Sequence, residues 1–194
     1  PQELIYQHPG FLRNCVNIKL PGTQHLILYA ADMARGTDGR IWIIGDRTQA
    51  PSGSGYALEN RHALSTVLPE FFNNLHVKRL SPYFDALQKA LVAIAPHNAD
   101  NPRIVILTPG PDNETYFEHS YLAAYLGHTL VQGNDLIVKD NFVWLKTIEG
   151  LEKIDVILRR LDDNYCDPLE LKSNSLLGVP GLLQVVRKGN VAIA

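Results

Sequence analysis

Two aspartates, Asp32 and Asp46, flank a stretch that the sequence folds back on itself. The runs 25–30 and 41–44 are strand-like, and Thr37-Asp38-Gly39 between them carries the Asp-Gly pair that favours a tight turn. Folding about that turn brings two carboxylates to one end of a ribbon, and hard cations such as Mg2+ take carboxylate oxygens. Register decides whether the two acids meet. A two-residue turn sets Asp32 opposite Gly45 and sends the acids to opposite faces, whereas a three-residue loop with a bulge sets Asp32 opposite Asp46. A shared metal therefore predicts the bulged form. The plain alternative is a pair of acids that solvate strand ends.

Other residue groups offer donors for an anion. Pro51-Ser52-Gly53-Ser54-Gly55 precedes a helical pattern from about Tyr56, and its backbone amides could face a phosphate or carboxylate. No lysine follows, so the loop lacks the P-loop pattern, and an ordinary helix-entry turn is the simpler reading. Glu59-Asn60-Arg61 falls on the first turns of that helix, where a solvated face is the simpler reading. Thr108 to Glu114 follows a strand's carboxyl end, the position at which open α/β sheets bind ligands. There Asn113 reads equally as a helix cap, and Glu118-His119 reads equally as a surface pair. Arg159-Arg160 also ends a strand and could clamp a carboxylate or phosphate, or join an internal network with Asp162 and Asp163. The histidines form no Ser/His/Asp or HExxH arrangement, which argues against a hydrolase.

The elements that must position these groups follow from patterning. Ser81-Pro82 reads as a helix start, with Phe84, Leu87, Leu91 and Ile94 recurring on one face and an end before Pro96. The polar, proline-bounded stretch 96–102 is the predicted domain boundary, dividing 1–98 from 99–194. Beyond it come a buried-type strand over 103–108, a turn, and a helix over 114–126 closed by Gly127, which is Rossmann-like order. Residues 136–139 and 142–146 form a second predicted hairpin about Asp140-Asn141, 156–158 a core strand, and 181–188 a helix stopped by Gly189.

The chain has 194 residues, an apolar fraction of 45%, a charged fraction of 20% and a formal net charge of −2. That length buries a core, and the near-neutral balance without Lys/Arg runs excludes the electrostatic footprint of a nucleic-acid or anionic-membrane binder. Cys15 and Cys166 have no CxxC or His-spaced partner, so they read as reduced thiols rather than a zinc site or a disulfide scaffold. No apolar run approaches the roughly 20 residues of a membrane span. A cytoplasmic location is the expectation. The ending Val191-Ala192-Ile193-Ala194 reads as a strand cut in mid-course, which predicts a fragment of a longer protein.

Three ordered strings carry a resemblance. Asp32-Met33-Ala34-Arg35-Gly36-Thr37-Asp38-Gly39-Arg40, Gly45-Asp46-Arg47-Thr48-Gln49-Ala50-Pro51-Ser52-Gly53-Ser54-Gly55-Tyr56 and Glu59-Asn60-Arg61 are similar to the signature of the circularly permuted type 2 ATP-grasp family. Leu107-Thr108-Pro109-Gly110, Tyr116-Phe117-Glu118-His119, Arg159-Arg160-Leu161-Asp162-Asp163 and Leu177-Gly178-Val179-Pro180-Gly181 match it as well. The resemblance implies a mixed α/β fold: part of a permuted ATP-grasp domain over 1–98, then a Rossmann-like pre-ATP-grasp domain over 99–194, truncated at its C-terminus. It implies a relative of glutathionylspermidine synthase-like carboxylate-amine ligases that act through an acyl phosphate, with Mg2+ and ATP as cofactors of the full-length protein. In that reading Asp32, Asp46 and Thr48 hold the metal, and Ser52, Gly53 and Ser54 touch the nucleotide. Arg47 and Arg160 serve catalysis, and Asn60, Arg61, Asn113 and Glu118 contact peptide-like or small carboxylate and amine substrates. Arg47 or Thr48 stands where related ligases place an asparagine ligand, and an arginine there suits a phosphate rather than a metal. The partner implied is the remainder of the ATP-grasp domain, without which this piece is expected to be inactive. A non-catalytic ATP-grasp-like binding or scaffold protein is the alternative.

Overall fold

Alternation along two short strands divides the interior into two cores. In the computed structural model, which describes residues 2–22, 24–97 and 100–194, β3 (Ile104–Leu107) and β8 (Val156–Arg159) are the central strands of a four-stranded parallel sheet. Val105, Leu107 and Ile157 point to one core, while Ile104, Ile106, Val156 and Leu158 point to the other, as the two-residue period of a strand requires. Strands buried on both faces read as continuous apolar runs, which is why 103–108 and 156–158 were legible. The sheet order is β4 (Thr129–Val131), β3, β8, β9 (Ala192–Ile193).

On one face lie α4 (Ser81–Ala93) and α5 (Tyr116–Leu126). The periodic residues Phe84, Leu87, Leu91 and Ile94 are all buried there, each apolar side chain contributing about 1.5–3 kcal/mol. The helix starts with Leu80 as its cap and Pro82 in its first turn, one residue earlier than the predicted Ser81 cap. Gly127 closes α5 in the left-handed region at φ 71°. The other face carries α6 (Leu182–Arg187) and an antiparallel meander of β5 (Leu136–Lys139), β6 (Phe142–Thr147) and β7 (Gly150–Ile154). The β5–β6 turn has Asp140 and Asn141 at φ 53° and 62°, the mirror-image turn expected of an Asp-Asn pair. Sequence patterning missed β4 and β7, which are short and half exposed.

The first hairpin pairs β1 (Ala30–Arg35) with β2 (Ile41–Arg47). The expected strand over 25–30 is not one: regular pairing starts at Ala30, and Ile27 and Leu28 pack against the core shared by α4 and α5. An apolar run cannot distinguish a strand from a segment that lies on a core. The preceding chain holds α1 (Gln2–Tyr6) and a turn of 3-10 helix at Arg13–Cys15. α2 (Ser54–Val67) and α3 (Pro69–Asn74) follow the hairpin. Met33, Ile41, Trp42, Ile43 and Ile44 are exposed, more apolar side chains than one ribbon normally leaves in water. Among the described residues, no helix is long and apolar enough to cross a membrane.

Candidate functional site

The hairpin ends in an open cleft of about 620 Å³ lined by Asp32, Asp46, Arg47, Thr48 and the chain through Ser52. Its geometry begins at the turn. Gly36 N donates to Arg40 O at 2.8 Å and Gly39 N to Gly36 O at 3.0 Å, so Thr37-Asp38-Gly39 is a three-residue loop with Gly39 at φ 81°. A bulge then places Ile44 without a partner, between the pairs Met33–Ile43 and Asp32–Gly45. Loop and bulge are both present, yet together they set Asp32 opposite Gly45, not opposite Asp46 as the three-residue reading predicted. The reason is arithmetic: the loop over 37–39 alone would pair Asp32 with Ile44, and the single extra residue moves it to Gly45.

Adjacent positions on a strand face opposite ways, so each acid has its own companion. Arg47 Nε donates to both Asp32 oxygens, at 2.9 and 3.0 Å. The Tyr29 hydroxyl donates to Asp46 Oδ1 at 2.6 Å. These bonds raise the pKa of Arg47 and of the Tyr29 phenol above their ordinary values. Gly45 leaves room for the Asp32 carboxylate, since a Cβ there would lie 3.2 Å from Asp32 Oδ2. Among the described residues, no three His, Cys, Asp or Glu side chains converge as a ready cation cage.

The amides of the glycine loop already serve an anion from the protein itself. Glu118, 0% exposed on α5, accepts from Gly53 N at 2.8 and 2.9 Å and from Gly55 N at 2.9 Å, with the Ser54 hydroxyl at 3.3 Å. Arg160, 6% exposed, lies 3.9 Å from the same carboxylate and donates to Pro51 O at 2.9 Å. Among the described residues, its buried Nε has no hydrogen-bond partner. Burial lowers the Arg160 pKa and the Glu118 charge opposes that shift. Glu118-His119 is thus an interior pair, not the surface pair that spacing equally allowed. His119, 1% exposed, bridges Thr108 and Thr115, and burial followed by the Arg160 charge lowers its pKa from 6.5 to about 4.

The remaining candidates are dispersed. Asn113 Oδ1 accepts from Thr115 N at 2.9 Å and Thr115 Oγ1 at 2.6 Å, holding the turn into α5. Asn60 is exposed on α2, and Arg61 lines a separate apolar groove with Leu64, Phe71 and Leu75. Tyr29, which no motif included, reaches the cleft through Asp46, and Gln49, which the signature string contains without a role, accepts from Arg159 Nη1 at 2.5 Å. Only the tertiary fold gives them partners.

An acid-bearing hairpin, a glycine loop opening a helix, and two arginines at the carboxyl end of a parallel strand sit in a mixed α/β chain consistent with an ATP-grasp-type domain. The chain belongs to the circularly permuted ATP-grasp type 2 family, whose model matches residues 1–194. Among its relatives is the uncharacterized protein Rv2567 of Mycobacterium tuberculosis, 40% identical over 193 residues that cover 100% of this chain and 22% of that protein. The uncharacterized protein sll0335 of Synechocystis is 39% identical over 194 residues, 100% of this chain and 40% of its own length. ML0605 of Mycobacterium leprae, also uncharacterized, is 39% identical with 35% of its length covered. The chain therefore spans well under half of these relatives.

Proposed function

We propose that this chain supplies the metal-binding hairpin and part of the substrate face of an ATP-dependent carboxylate-amine ligase. Family membership suggests an ATP-dependent ligase, and the single observation that carries the finer reading is the cleft in which Asp32, Asp46, Arg47 and Thr48 come together. The donor types fit Mg2+: the Asp46 carboxylate and the Thr48 hydroxyl are hard oxygen ligands, and such sites commonly leave the remaining positions to water and nucleotide phosphate. Asp46 and Thr48 would hold the metal, and Asp32, which faces the other side of the ribbon and engages Arg47 at rest, would join them only when Arg47 turns to phosphate. The bound nucleotide would supply phosphoryl transfer to a carboxylate, giving an acyl phosphate for an amine to attack.

The chain's own groups do the positioning. Arg47 neutralises Asp32 at rest and presents a fixed, planar cation at the cleft, where it meets phosphate or acyl-phosphate oxygen. Residues 1–98 form the permuted segment of the grasp domain and 99–194 a Rossmann-like pre-ATP-grasp domain, a reading supported by a parallel sheet whose strands all follow residue 102, with α4 packing onto it from the first segment. The exposed Ile41, Trp42, Ile43 and Ile44 are where the remainder of the grasp domain packs. Peptide-like or small carboxylate and amine compounds are the substrates of this reading.

Calorimetric titration of the full-length protein with Mg-ATP tests it, repeated with Asp46→Ala. Binding that disappears in the variant supports the ligase, and turnover with a carboxylate-amine pair completes the case. A full-length protein that binds no Mg-ATP would overturn the proposal in favour of a non-catalytic binding or scaffold protein. One observation favours that second reading: Arg47 already engages both oxygens of Asp32.

A further inference from the structure

The chain from Thr48 to Ser52 is the floor of the acid-bearing cleft, and the segment from Thr48 through Gly55 is pinned from one side at three points. Gln49 Oε1 accepts from Arg159 Nη1 at 2.5 Å and from Asp163 N at 3.3 Å. Pro51 O accepts from Arg160 Nη2 at 2.9 Å, and the Gly53 and Gly55 amides donate to Glu118. Every pinning partner belongs to α5, to the last residue of β8 or to the chain leaving it. Between the first two pins, Ala50 sits at φ 40°, a backbone region that an alanine keeps only when its surroundings impose it.

The surroundings of Glu118 suit an acceptor: its two oxygens meet the backbone N–H groups of Gly53 and Gly55, the Ser54 hydroxyl and the Arg160 guanidinium. The approach is close enough to demand glycine at 55, where a Cβ would lie 2.8 Å from Glu118 Cγ. An anion at amides that open a helix is a favourable arrangement, and here the protein supplies that anion itself.

We propose that Glu118 and Arg160 form an internal anion lock: the Glu118 carboxylate fills the amide nest at the head of α2, and the lock sets the cleft floor that carries Asp46 and Arg47 into place. Both are positioning residues, and the Gly53 and Gly55 amides serve Glu118 rather than a bound phosphate. The lock stands on the contacts alone, whereas its effect on nucleotide affinity rests on the ligase reading.

The test uses the full-length protein with Glu118→Gln, and with Glu118→Ala in the presence or absence of formate. Hydrogen exchange of the peptide spanning residues 50–57 is read beside Mg-ATP affinity. Glu118→Gln is expected to speed exchange and weaken Mg-ATP binding, each by about tenfold or more. Formate should restore both in Glu118→Ala and leave the wild type unchanged. Unaltered exchange in Glu118→Gln would overturn the lock; faster exchange with unchanged Mg-ATP affinity would overturn its positioning role. A wild type that does not bind Mg-ATP defeats the ligase reading while the exchange result still decides the lock. Should Glu118→Gln unfold globally, Arg160→Lys, which keeps the charge, is read in the same way.

Discussion

The Thr108 hydroxyl and His119 Nδ1 lie 2.9 Å apart in the interior, and their neighbours determine which of them donates. Thr115 Oγ1 donates to Asn113 Oδ1 at 2.6 Å, so it accepts from His119 Nε2–H at 3.0 Å. Nδ1 is then bare and accepts the Thr108 hydroxyl, whose oxygen accepts in turn from Gly110 N at 3.2 Å. The network thus assigns a neutral imidazole with its proton on Nε2.

That assignment has a pH signature. Burial and Arg160 lower the His119 pKa from 6.5 to about 4, so between those values the unfolded chain binds the proton and the folded one does not. Stability is complete above about pH 6.5 and falls as pH drops towards 4, by about 3 kcal/mol in all. Urea unfolding at pH 7 and pH 4.5 checks this, with His119→Gln expected to lose that part of the pH dependence. A variant with the wild-type pH dependence would refute the assignment.

Arg47 and Asp32 separate stability from function. The pair is solvent-exposed, with side-chain exposures of 65% and 44%, and such pairs add little to folding. Arg47→Ala is expected to leave thermal unfolding essentially where it is while weakening Mg-ATP binding by about tenfold or more. Calorimetry and a melt on the same sample distinguish a ligand-facing arginine from a merely structural one.

Gly178 is required by backbone approach. A Cβ there would collide with the carbonyl oxygens of Tyr165 and Cys166, and one on Gly133 with the carbonyls of Leu177 and Gly178. Neither neighbour is a flexible side chain, so Gly178→Ala should cost at least about 3 kcal/mol. A lowered unfolding midpoint in denaturant checks it.

The two thiols should report different environments. Burial pushes Cys166 from 9.0 up to about 12, leaving about one thiolate in ten thousand at pH 8. Cys15 is also raised, mainly by burial, but is only partly enclosed. Ellman titration of native protein should label Cys15 first and Cys166 only on unfolding; equal rates would contradict this.

Local chemistry was readable where one element decides its own structure. The Asp38-Gly39 turn, the Asp140-Asn141 turn, the Phe84–Leu87–Leu91–Ile94 face and the Gly127 stop each depend on neighbours within about one turn of chain. The ordered strings about Asp32, Asp46 and Arg160 likewise identified the family before any geometry. Long-range placement was not readable. The register of Asp32 depended on where a single bulge falls. The partner of the Gly53–Gly55 amides, Glu118, lies 65 residues from Gly53, and no periodicity links such positions. Burial separates Glu118 and Arg160 from a surface ion pair, and burial belongs to the packed sheet and helices together. The sequence by itself determined most of the elements, their turns and the family; only the tertiary structure decided the short strands β4 and β7, the fate of 25–30 and which charges meet, because these depend on contacts made across the whole chain.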